Sequence, residues 1–423
     1  MKNNKSEVKW INFLHIYQPA NADDEKINEA TEKSYLRIIR GLEEHPDIKF
    51  TFNITGCLVL RWIETENTDV IVRIKNLIKK GQIELTGSAA YHALLPLIDK
   101  REVEKQIREN EEILLKNFGV KPKGFFFPEM AYGDEVAKIV KKMGYEWTIL
   151  DEISSTGKLG KTVGLSRALH TSSFGHLRSA NSGQTSSSNA MASKQERRKV
   201  VIDKNSDLKV VLRSRKYSNS YVPKTINKLE GSEEDVITGT DGELVGLRHE
   251  DPTGEFEKVL KKKNIITLTI SEYIKTKKDI EKIRIYNSNW ESTEKDLWKM
   301  QPYALWENSG NGIQKRIWKL AKIAYKTVEG NVNDDNYAWA RWHLVRGLAS
   351  CTFWWASGKD FSYIYGPNAW NPDEIERGLR ELIRSIRSLD DITTRKVKMD
   401  SEKLYVRIKQ MIWNKHWDKH WKR

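Results

Sequence analysis

Two acidic residues of this 423-residue chain differ from its other carboxylates in their local surroundings. Glu129 follows the run GFFFP, in which Pro128 restricts the backbone and three phenylalanines stiffen the end of an apolar segment. Asp241 lies in GTDGELVG, among residues small enough for a ligand to approach the backbone. Glycoside hydrolysis needs such a rigid pair, because one carboxylate attacks the anomeric carbon and the other protonates the leaving oxygen. Simpler interpretations are a carboxylate at a helix N-terminus for Glu129 and a turn residue for Asp241.

The spacing of apolar residues indicates which elements hold this pair. In the first part of the chain, strand-length apolar runs alternate with segments of helical period. The runs are VKWINFL, KFTFNIT, QIELTG, KGFFFPE, EWTIL, LKVVLR, DVITGTD and NIITLTI. Alternating strands and helices predict a mostly parallel sheet, and seven or eight such units closing on themselves form a β/α barrel. The sequence therefore predicts a catalytic β/α barrel over residues 5–285.

Beyond the last of these runs, the pattern is helical. Apolar stripes recur with the helical period, as at Ile375, Leu379 and Leu382, and they predict a C-terminal α-helical domain over residues 286–423. A tryptophan pair, Trp354 and Trp355, follows a phenylalanine in ASCTFWWASG, and three adjacent aromatic residues cannot all face one core.

A serine-rich segment at about residues 161–200 interrupts the alternation of strands and helices. Its small and polar residues cannot bury enough apolar surface to offset the entropy lost on ordering. We interpret it as a flexible insertion in the barrel. A mobile lid is the functional alternative, but nothing in the chemistry of this segment favours that interpretation.

Composition and charge narrow the classes of partner. The net charge of +14 is spread along amphipathic segments, so a solvated surface explains it better than a nucleic-acid site, although the tail IWNKHWDKHWKR interleaves basic and aromatic residues. Two cysteines, Cys57 and Cys351, are too few for a disulfide framework or a thiolate metal cluster. Neither a signal peptide nor a membrane span is expected, and we predict a cytoplasmic protein.

Polar residues follow the predicted strands in unusual number. Barrel enzymes carry their chemistry at the carboxyl ends of the strands, so these residues are expected to converge on one rim. They are His15, Gln18, Glu84, His92, Glu129, Asp151, Glu152, Arg213, Asp241, Glu243, Arg248 and His249. Several of these residues are expected to support their neighbours or to lie on the surface. The convergence of the whole set on one rim is what indicates a catalytic site.

Four stretches also carry a resemblance to a known family. FLHIYQP, GQIELTGSAAYHALLPLI, GFFFPEMAYGDE and ITGTDGELVGLRHED resemble, in order and spacing, the first four conserved regions of glycoside hydrolase family 57. The resemblance implies a (β/α)7-type barrel followed by a helical domain, and a retaining mechanism on α-glucans and related α-glycosides. It implies that Glu129 is the nucleophile and Asp241 the general acid/base.

The resemblance extends to substrate-binding residues. His15 and Gln18 match the first region, and Glu84 matches the acid of the second, so all three are expected to bind sugar hydroxyls or orient the pair. His92 and His249 are placed with them as substrate contacts. RGLASCTFWWASG is loosely similar to the fifth region, which implies that Trp354 or Trp355 reaches the site. Tyr17 departs from the family, where most members have a second histidine, so we expect a subsite contact that differs from that of the well-known amylases.

Alternative functions remain at this stage. Carbohydrate deacetylases and family 38 mannosidases use related barrels with a divalent metal held by Asp and His near the first strand, but Tyr17 stands where the aspartate is needed. His416 and His420 have a metal-like spacing near the end of the chain. A non-catalytic barrel that binds glycan or nucleic acid would not need both Glu129 and Asp241. We therefore expect an oligo- or polysaccharide substrate, no metal and no other cofactor, and no nucleic acid or membrane partner.

Overall fold

The computed structural model describes residues 7–156, 199–229, 235–358 and 369–420. The predicted serine-rich insertion lies outside the described residues except at its last two positions. Among the described helices, none combines the length and the apolar character that crossing a bilayer requires.

Seven parallel strands form the centre of one curled sheet, in the order β7-β5-β4-β3-β2-β1-β8. Strand β6 is antiparallel to β7, β9 lies beside the first residues of β1, and β10 pairs with β6. The described strands are β1 (Val8–Ile16), β2 (Phe50–Ile54), β3 (Ile83–Gly87), β4 (Gly124–Phe125), β5 (Trp147–Asp151), β6 (Val200–Asp203), β7 (Lys209–Arg213), β8 (Val236–Asp241), β9 (Ile265–Thr267) and β10 (Lys282–Ile283). A backbone hydrogen bond from Ser214 to Ile237 (3.0 Å) connects the end of β7 to β8.

Helices follow most strands and cover the sheet, so the predicted β/α barrel class is confirmed. They are α1 (Asp24–Ala30), α2 (Leu36–Glu44), α3 (Gly56–Glu64), α4 (Thr68–Lys79), α5 (Lys100–Phe118), α6 (Asp134–Lys142), α7 (Ile153–Thr156), α8 (Arg215–Ser218), α9 (Val222–Asn227), α10 (Glu255–Leu260) and α11 (Ile270–Lys275). Short 3₁₀ turns lie at Leu95–Leu97, Pro128–Met130 and Gly242–Leu244, and a π-helical turn joins α1 to α2.

Strand β1 shows which side chains reach the barrel interior. Eight of its nine residues are buried, as expected of a strand covered on both faces. Successive side chains point to opposite faces, and Ile11 and Phe13 join the interior cluster whereas Trp10 and Leu14 pack under the surrounding helices. His15, two residues after Phe13, therefore continues the interior face at the carboxyl end.

Every regular element after β10 is helical within the described ranges. The helices are α12 (Glu294–Trp298), α13 (Gly312–Glu329), α14 (Tyr337–Gly347), α15 (Ser350–Trp354), α16 (Pro372–Arg387) and α17 (Arg395–Lys415). Helices α13 to α17 bury one shared core that includes Leu320, Leu344 and Leu379. Ala93 and Ala131 of the barrel rim join that core, so the helical part packs directly on the barrel. The division of the chain at residue 285 stays a prediction.

Helix α15 reaches the barrel rim through backbone contacts. Ala349, just before the helix, forms a β-bridge with Ala93, and Ser350 N donates to the carbonyl of His92 (2.9 Å). On its other side the helix lies against α16, where a Cβ at Gly378 would be 2.3 Å from the Thr352 hydroxyl oxygen. The absence of a side chain at Gly378 thus lets α15 lie between the rim and α16.

Candidate active site

Glu129 lies in a 3₁₀ turn shortly after β4, in a left-handed backbone conformation that residues other than glycine rarely adopt. Its φ of 61° and ψ of 18° are left-handed, and the next residue, Met130, has φ 48°. Such conformations cost about 1–3 kcal/mol each and persist where the surroundings enforce them. Here Met130 N donates to Phe127 O (2.7 Å) and Trp290 N donates to Glu129 O (3.3 Å). The turn therefore holds the carboxyl group of Glu129 in a direction that a relaxed strand end would not.

The carboxyl group of Glu129 is nearly buried, with its side chain 13% exposed. One of its oxygens, Oε1, accepts a hydrogen bond from Ser350 Oγ (2.8 Å). Burial raises the pKa of Glu129 to about 8. The hydrogen bond from Ser350 lowers this pKa because it favours the charged form, and the negative charge of Asp241 raises it. The carboxyl group of Glu129 therefore changes its protonation state near pH 8.

Three aromatic rings stack beside Glu129. The ring of His92 lies 4.0 Å from that of Tyr17 and 4.7 Å from that of His15. His15 Nδ1 is 2.8 Å from Asn53 Oδ1, and His92 Nδ1 is 2.9 Å from Ser350 Oγ and 3.8 Å from Glu129 Oε1. The Nε2 atoms of both histidines are buried and have no hydrogen-bond partner among the described residues. Both rings thus keep one nitrogen for a ligand.

The two imidazoles are neutral at ordinary pH. Burial lowers the pKa of His15 to about 4, although the charge of Asp241 and the hydrogen bond to Asn53 act in the opposite direction. Burial, with a smaller effect of His15, lowers the pKa of His92 well below its usual value. Neither imidazole can therefore act as a cationic general acid at neutral pH.

Asp241 is the last residue of β8 and lies opposite His15 in the β1–β8 register. Because Ile237 belongs to the interior cluster, the alternation of β8 places Asp241 on the interior face as well. Its side chain is 25% exposed and forms an ion pair with Arg248 (3.1 Å). The strand register thus brings the second predicted carboxyl group to the same rim as the histidines.

Glu243 forms a second ion pair with Arg248, and its other oxygen accepts a hydrogen bond from Gln18. Burial raises the pKa of Glu243, while the charge of Arg248 lowers it. Gln18 also lies within 3.4 Å of the Tyr35 hydroxyl. Gln18 and Arg248 therefore connect Glu243 to the rim around Asp241.

The sequence of residues 5–287, more than half of the chain, matches the family model for glycosyl hydrolase family 57. The chain belongs to this family. The resemblance noted in four stretches of the sequence is thereby confirmed.

Curated relatives of this family 57 chain align over about a third of its length. An α-amylase of Pyrococcus horikoshii is 33% identical over 145 residues, which are 34% of this chain and 23% of that protein. A 4-α-glucanotransferase of Thermococcus litoralis is 30% identical over 145 residues, 34% of this chain and 22% of the relative. The matched part thus spans less than a quarter of either relative.

Solved structures of similar fold cover nearly all of this family 57 chain. The 4-α-glucanotransferase of Thermococcus litoralis superimposes with a TM-score of 0.63 and 19% identity, over 91% of this chain and 60% of that one. A family 57 branching enzyme of Thermococcus kodakaraensis gives a TM-score of 0.61 and 14% identity, over 95% of each chain. At this identity the likeness shows the fold, a (β/α)7 barrel with a C-terminal helical domain.

The structure places Glu84 of this family 57 chain away from the other predicted site residues, and its predicted role in binding sugar hydroxyls or orienting the pair stays a prediction. Glu84 points into the barrel near the start of β3, where it pairs with Thr51 of β2. His15 pairs with Asn53 of β2, which in turn pairs with Thr86, so Thr86 is the β3 residue at the level of His15. Its carboxylate accepts hydrogen bonds from Ser271 N (3.0 Å) at the start of α11 and from Thr51 Oγ1 (3.3 Å). Glu84 therefore does not join the cluster at the carboxyl ends of the strands.

His249 also lies apart from the buried cluster. It is exposed, and its ring lies 3.9 Å from the ring of Tyr221. No contact between His249 and Glu129 or Asp241 is present among the described residues. Its predicted role as a substrate contact stays a prediction.

The tryptophan pair is partly buried. Trp354 and Trp355 contact each other edge to face at 4.6 Å and pack against the core of the helical part. The residues of α15 that reach the catalytic rim are Ser350, which contacts Glu129, and Cys351, whose Sγ is 3.4 Å from the Tyr17 hydroxyl. The predicted subsite at Trp354 or Trp355 stays a prediction.

Sequence reasoning missed Ser350 and Trp290. Trp290 is held by Arg215, which donates to its carbonyl (2.9 Å), and by Arg213, which lies 5.4 Å from its ring. Both arginines form ion pairs with Asp151. Asp151 and Arg213, which the sequence placed on the rim, therefore help to hold Trp290 in position. The available signal for Ser350 was its position four residues before Trp354, in the stretch that resembles the fifth family region.

Potential metal ligands do not cluster in the part of the chain that the structure describes. Within residues 7–156, 199–229, 235–358 and 369–420, no three His, Cys, Asp or Glu side chains form a group that could hold a metal ion. His416 lies at the end of α17 beside Trp413 and Trp417.

Proposed function

We propose that this family 57 chain is a retaining enzyme that cleaves or transfers α-glycosidic bonds in oligo- or polysaccharides of the α-glucan class. The observation that carries the proposal is the pairing, on one interior rim, of the strained and nearly buried Glu129 with the ion-paired Asp241. Two neutral histidines, each with an unpartnered Nε2, lie beside the pair. The names of relatives, α-amylase, 4-α-glucanotransferase and branching enzyme, support the same substrate class.

In the first step of the proposed reaction, a carboxylate oxygen of Glu129 forms a bond to the anomeric carbon while the glycosidic C–O bond breaks. Asp241 gives its proton to the leaving oxygen. In the second step, Asp241 takes a proton from water or from a sugar hydroxyl, whose oxygen replaces Glu129 at the anomeric carbon. Hydrolysis and transfer share the glycosyl-enzyme and differ only in this acceptor.

The other side chains of the site have supporting roles in this proposal. Neutral imidazoles at His15 and His92 exchange hydrogen bonds with sugar hydroxyls through Nε2 without competing for the proton of the acid/base. Arg248 holds Asp241 and Glu243 in place through one guanidinium. The rigid turn at Glu129 supplies the fixed position that attack at one carbon requires.

The reverse assignment of roles is a second candidate, and one observation favours it. A pKa of about 8 leaves Glu129 mostly protonated in the free enzyme at pH 7, as expected of a general acid. Under our assignment, only the deprotonated fraction of Glu129 is competent for attack. The family resemblance supports Glu129 as the nucleophile, and the products of azide rescue distinguish the two assignments.

The experiment uses Asp241→Ala and Glu129→Ala with an aryl α-glucoside whose leaving group needs no protonation. Asp241→Ala should form the glycosyl-enzyme but turn over slowly, and azide should raise its rate by at least about tenfold and give a glycosyl azide of the substrate's configuration. Glu129→Ala should give the opposite configuration, because azide attacks directly in place of the missing carboxylate. Exchanged products would establish the reverse assignment.

Two further variants and a substrate panel complete this experiment. Glu243→Ala tests the nearest competitor for the acid role, and it should lack azide rescue because Asp241 is still present. A panel of α-glucans, α-galactosides and α-mannosides tests the substrate class. Binding without turnover on every member would support the non-catalytic alternative.

A further inference from the structure

Ser350 links the helical part of the chain to the proposed nucleophile. It is the first residue of α15 and is fully buried. Its backbone N–H donates to the carbonyl of His92, and the neighbouring β-bridge between Ala349 and Ala93 fixes the chain on the rim. Its hydroxyl contacts two groups, Glu129 Oε1 at 2.8 Å and His92 Nδ1 at 2.9 Å.

The hydrogen atoms of this contact can be assigned by counting donors. A serine hydroxyl has one hydrogen to donate, and an ionised carboxylate can only accept. When Glu129 is ionised, the hydrogen of Ser350 must therefore go to Oε1, and Ser350 Oγ must accept a hydrogen from His92 Nδ1. A neutral imidazole with a hydrogen on Nδ1 has a free lone pair on Nε2. The unpartnered Nε2 of His92 is then a hydrogen-bond acceptor.

We propose that Ser350 is a positioning residue that fixes Oε1 of the ionised Glu129 and sets His92 in the tautomer that accepts a hydrogen bond from a sugar hydroxyl. The helical part of the chain thus completes the catalytic pair of the barrel. This inference rests on the proposed function, because it assigns the attack to Glu129.

The electrostatics of the site give Ser350 a measurable effect. Its hydrogen bond lowers the pKa of Glu129, opposing the larger effect of burial. Removing the hydroxyl therefore raises the pKa of Glu129. The pKa of Glu129, read from the pH dependence of its carboxyl carbon-13 NMR signal, should therefore be higher in a variant without the hydroxyl.

The first test compares Ser350→Ala with Ser385→Ala. Ser385 is also fully buried in the helical part, and its hydroxyl donates to the carbonyl of Leu382 within α16. Ser350→Ala should lower kcat about 10- to 100-fold, with KM changed less than about threefold, and raise the pKa of Glu129 by about one unit. Ser385→Ala should leave kcat and the pKa of Glu129 unchanged, and Ser350→Thr, which restores a hydroxyl, should recover most of kcat.

An unchanged pKa of Glu129 in Ser350→Ala, or an equal loss of kcat in Ser385→Ala, would overturn the proposal. The azide products separate this inference from the function on which it rests, because they would be exchanged if Glu129 were the acid.

A second test needs neither activity nor a folded variant of Ser350. Nitrogen-15 NMR of the wild-type protein at about pH 9.5, where Glu129 is ionised, reports which ring nitrogen of each histidine carries hydrogen. The His92 signals are identified by their loss in His92→Gln. A hydrogen on Nδ1 is expected, and a hydrogen on Nε2 would contradict the proposal.

Discussion

Glu84 and Glu129 lie in one barrel and differ in what surrounds them. Burial raises the pKa of both carboxyl groups. At the amino end of the strands, Glu84 accepts hydrogen bonds from a helix N–H and a threonine hydroxyl. At the carboxyl end, Glu129 lies on a left-handed backbone beside His15 and His92, which each keep an unpartnered buried nitrogen.

The contrast separates a buried acid that has its hydrogen-bond partners from the acid proposed to be the nucleophile. Buried polar groups that have their partners contribute to a unique packing, whereas unpartnered groups and backbone strain cost stability. Such costs are found where a ligand supplies the missing partners. The unpartnered nitrogens and the strained backbone at the carboxyl end therefore lower the stability of the fold, whereas Glu84 at the amino end has its hydrogen-bond partners.

Activity should show the largest difference between the two ends. Glu129→Gln keeps the shape of the side chain but cannot attack, so kcat on α-glucosides should fall about 10⁴-fold or more. Glu84→Gln keeps the acceptor for Ser271 N and should leave kcat within about threefold of the wild type. Initial rates at saturating substrate measure both. A large loss in Glu84→Gln would remove the distinction between the two ends.

The pH dependence of stability should show the next largest effect. The folded pKa of Glu129 is raised from 4.5 to about 8, so the folded state binds a proton more tightly than the unfolded state. That stabilisation is complete below the unfolded pKa and is lost as the pH rises through about 8. Glu129→Gln has no such group, so its stability relative to the wild type should increase between pH 5 and pH 8, by about 2–4 kcal/mol.

Denaturant unfolding at several pH values measures this difference. The control is Glu112→Gln, because Glu112 is exposed on α5. Its difference from the wild type should vary little with pH. A constant difference for Glu129→Gln would show that the Glu129 carboxyl is ionised at neutral pH in the folded protein.

A smaller effect is expected where the carboxyl end meets the helical part. If Trp354 or Trp355 lines a subsite, replacing it by Ala should lower the ratio of rates on long and short glucans about three- to tenfold, because sugar faces stack on indole rings. Trp339→Ala is the control, since Trp339 stacks on Trp342 of its own helix. A lower melting temperature with an unchanged ratio would support a role in the core.

Much of the barrel could be predicted because its patterns are local. Apolar runs and helical stripes follow from periods of two and about 3.6 residues, which each segment carries by itself. The same periodicity placed His15 and Asp241 at the carboxyl ends of their strands, where parallel strands bring residues to one rim. Glu129 was recognisable from the aromatic and proline residues that precede it.

The amino-acid sequence by itself predicted eight of the ten described strands, the family, and the two carboxyl groups proposed to be catalytic. Only the tertiary structure decided that Glu84 faces α11 and that Ser350, 221 residues from Glu129 in the chain, contacts its carboxyl group. The level of Glu84 in the barrel depends on the register between β2 and β3, and the position of Ser350 depends on how the helical core packs against the rim. Both are set by contacts between distant segments, which local periodicity does not encode.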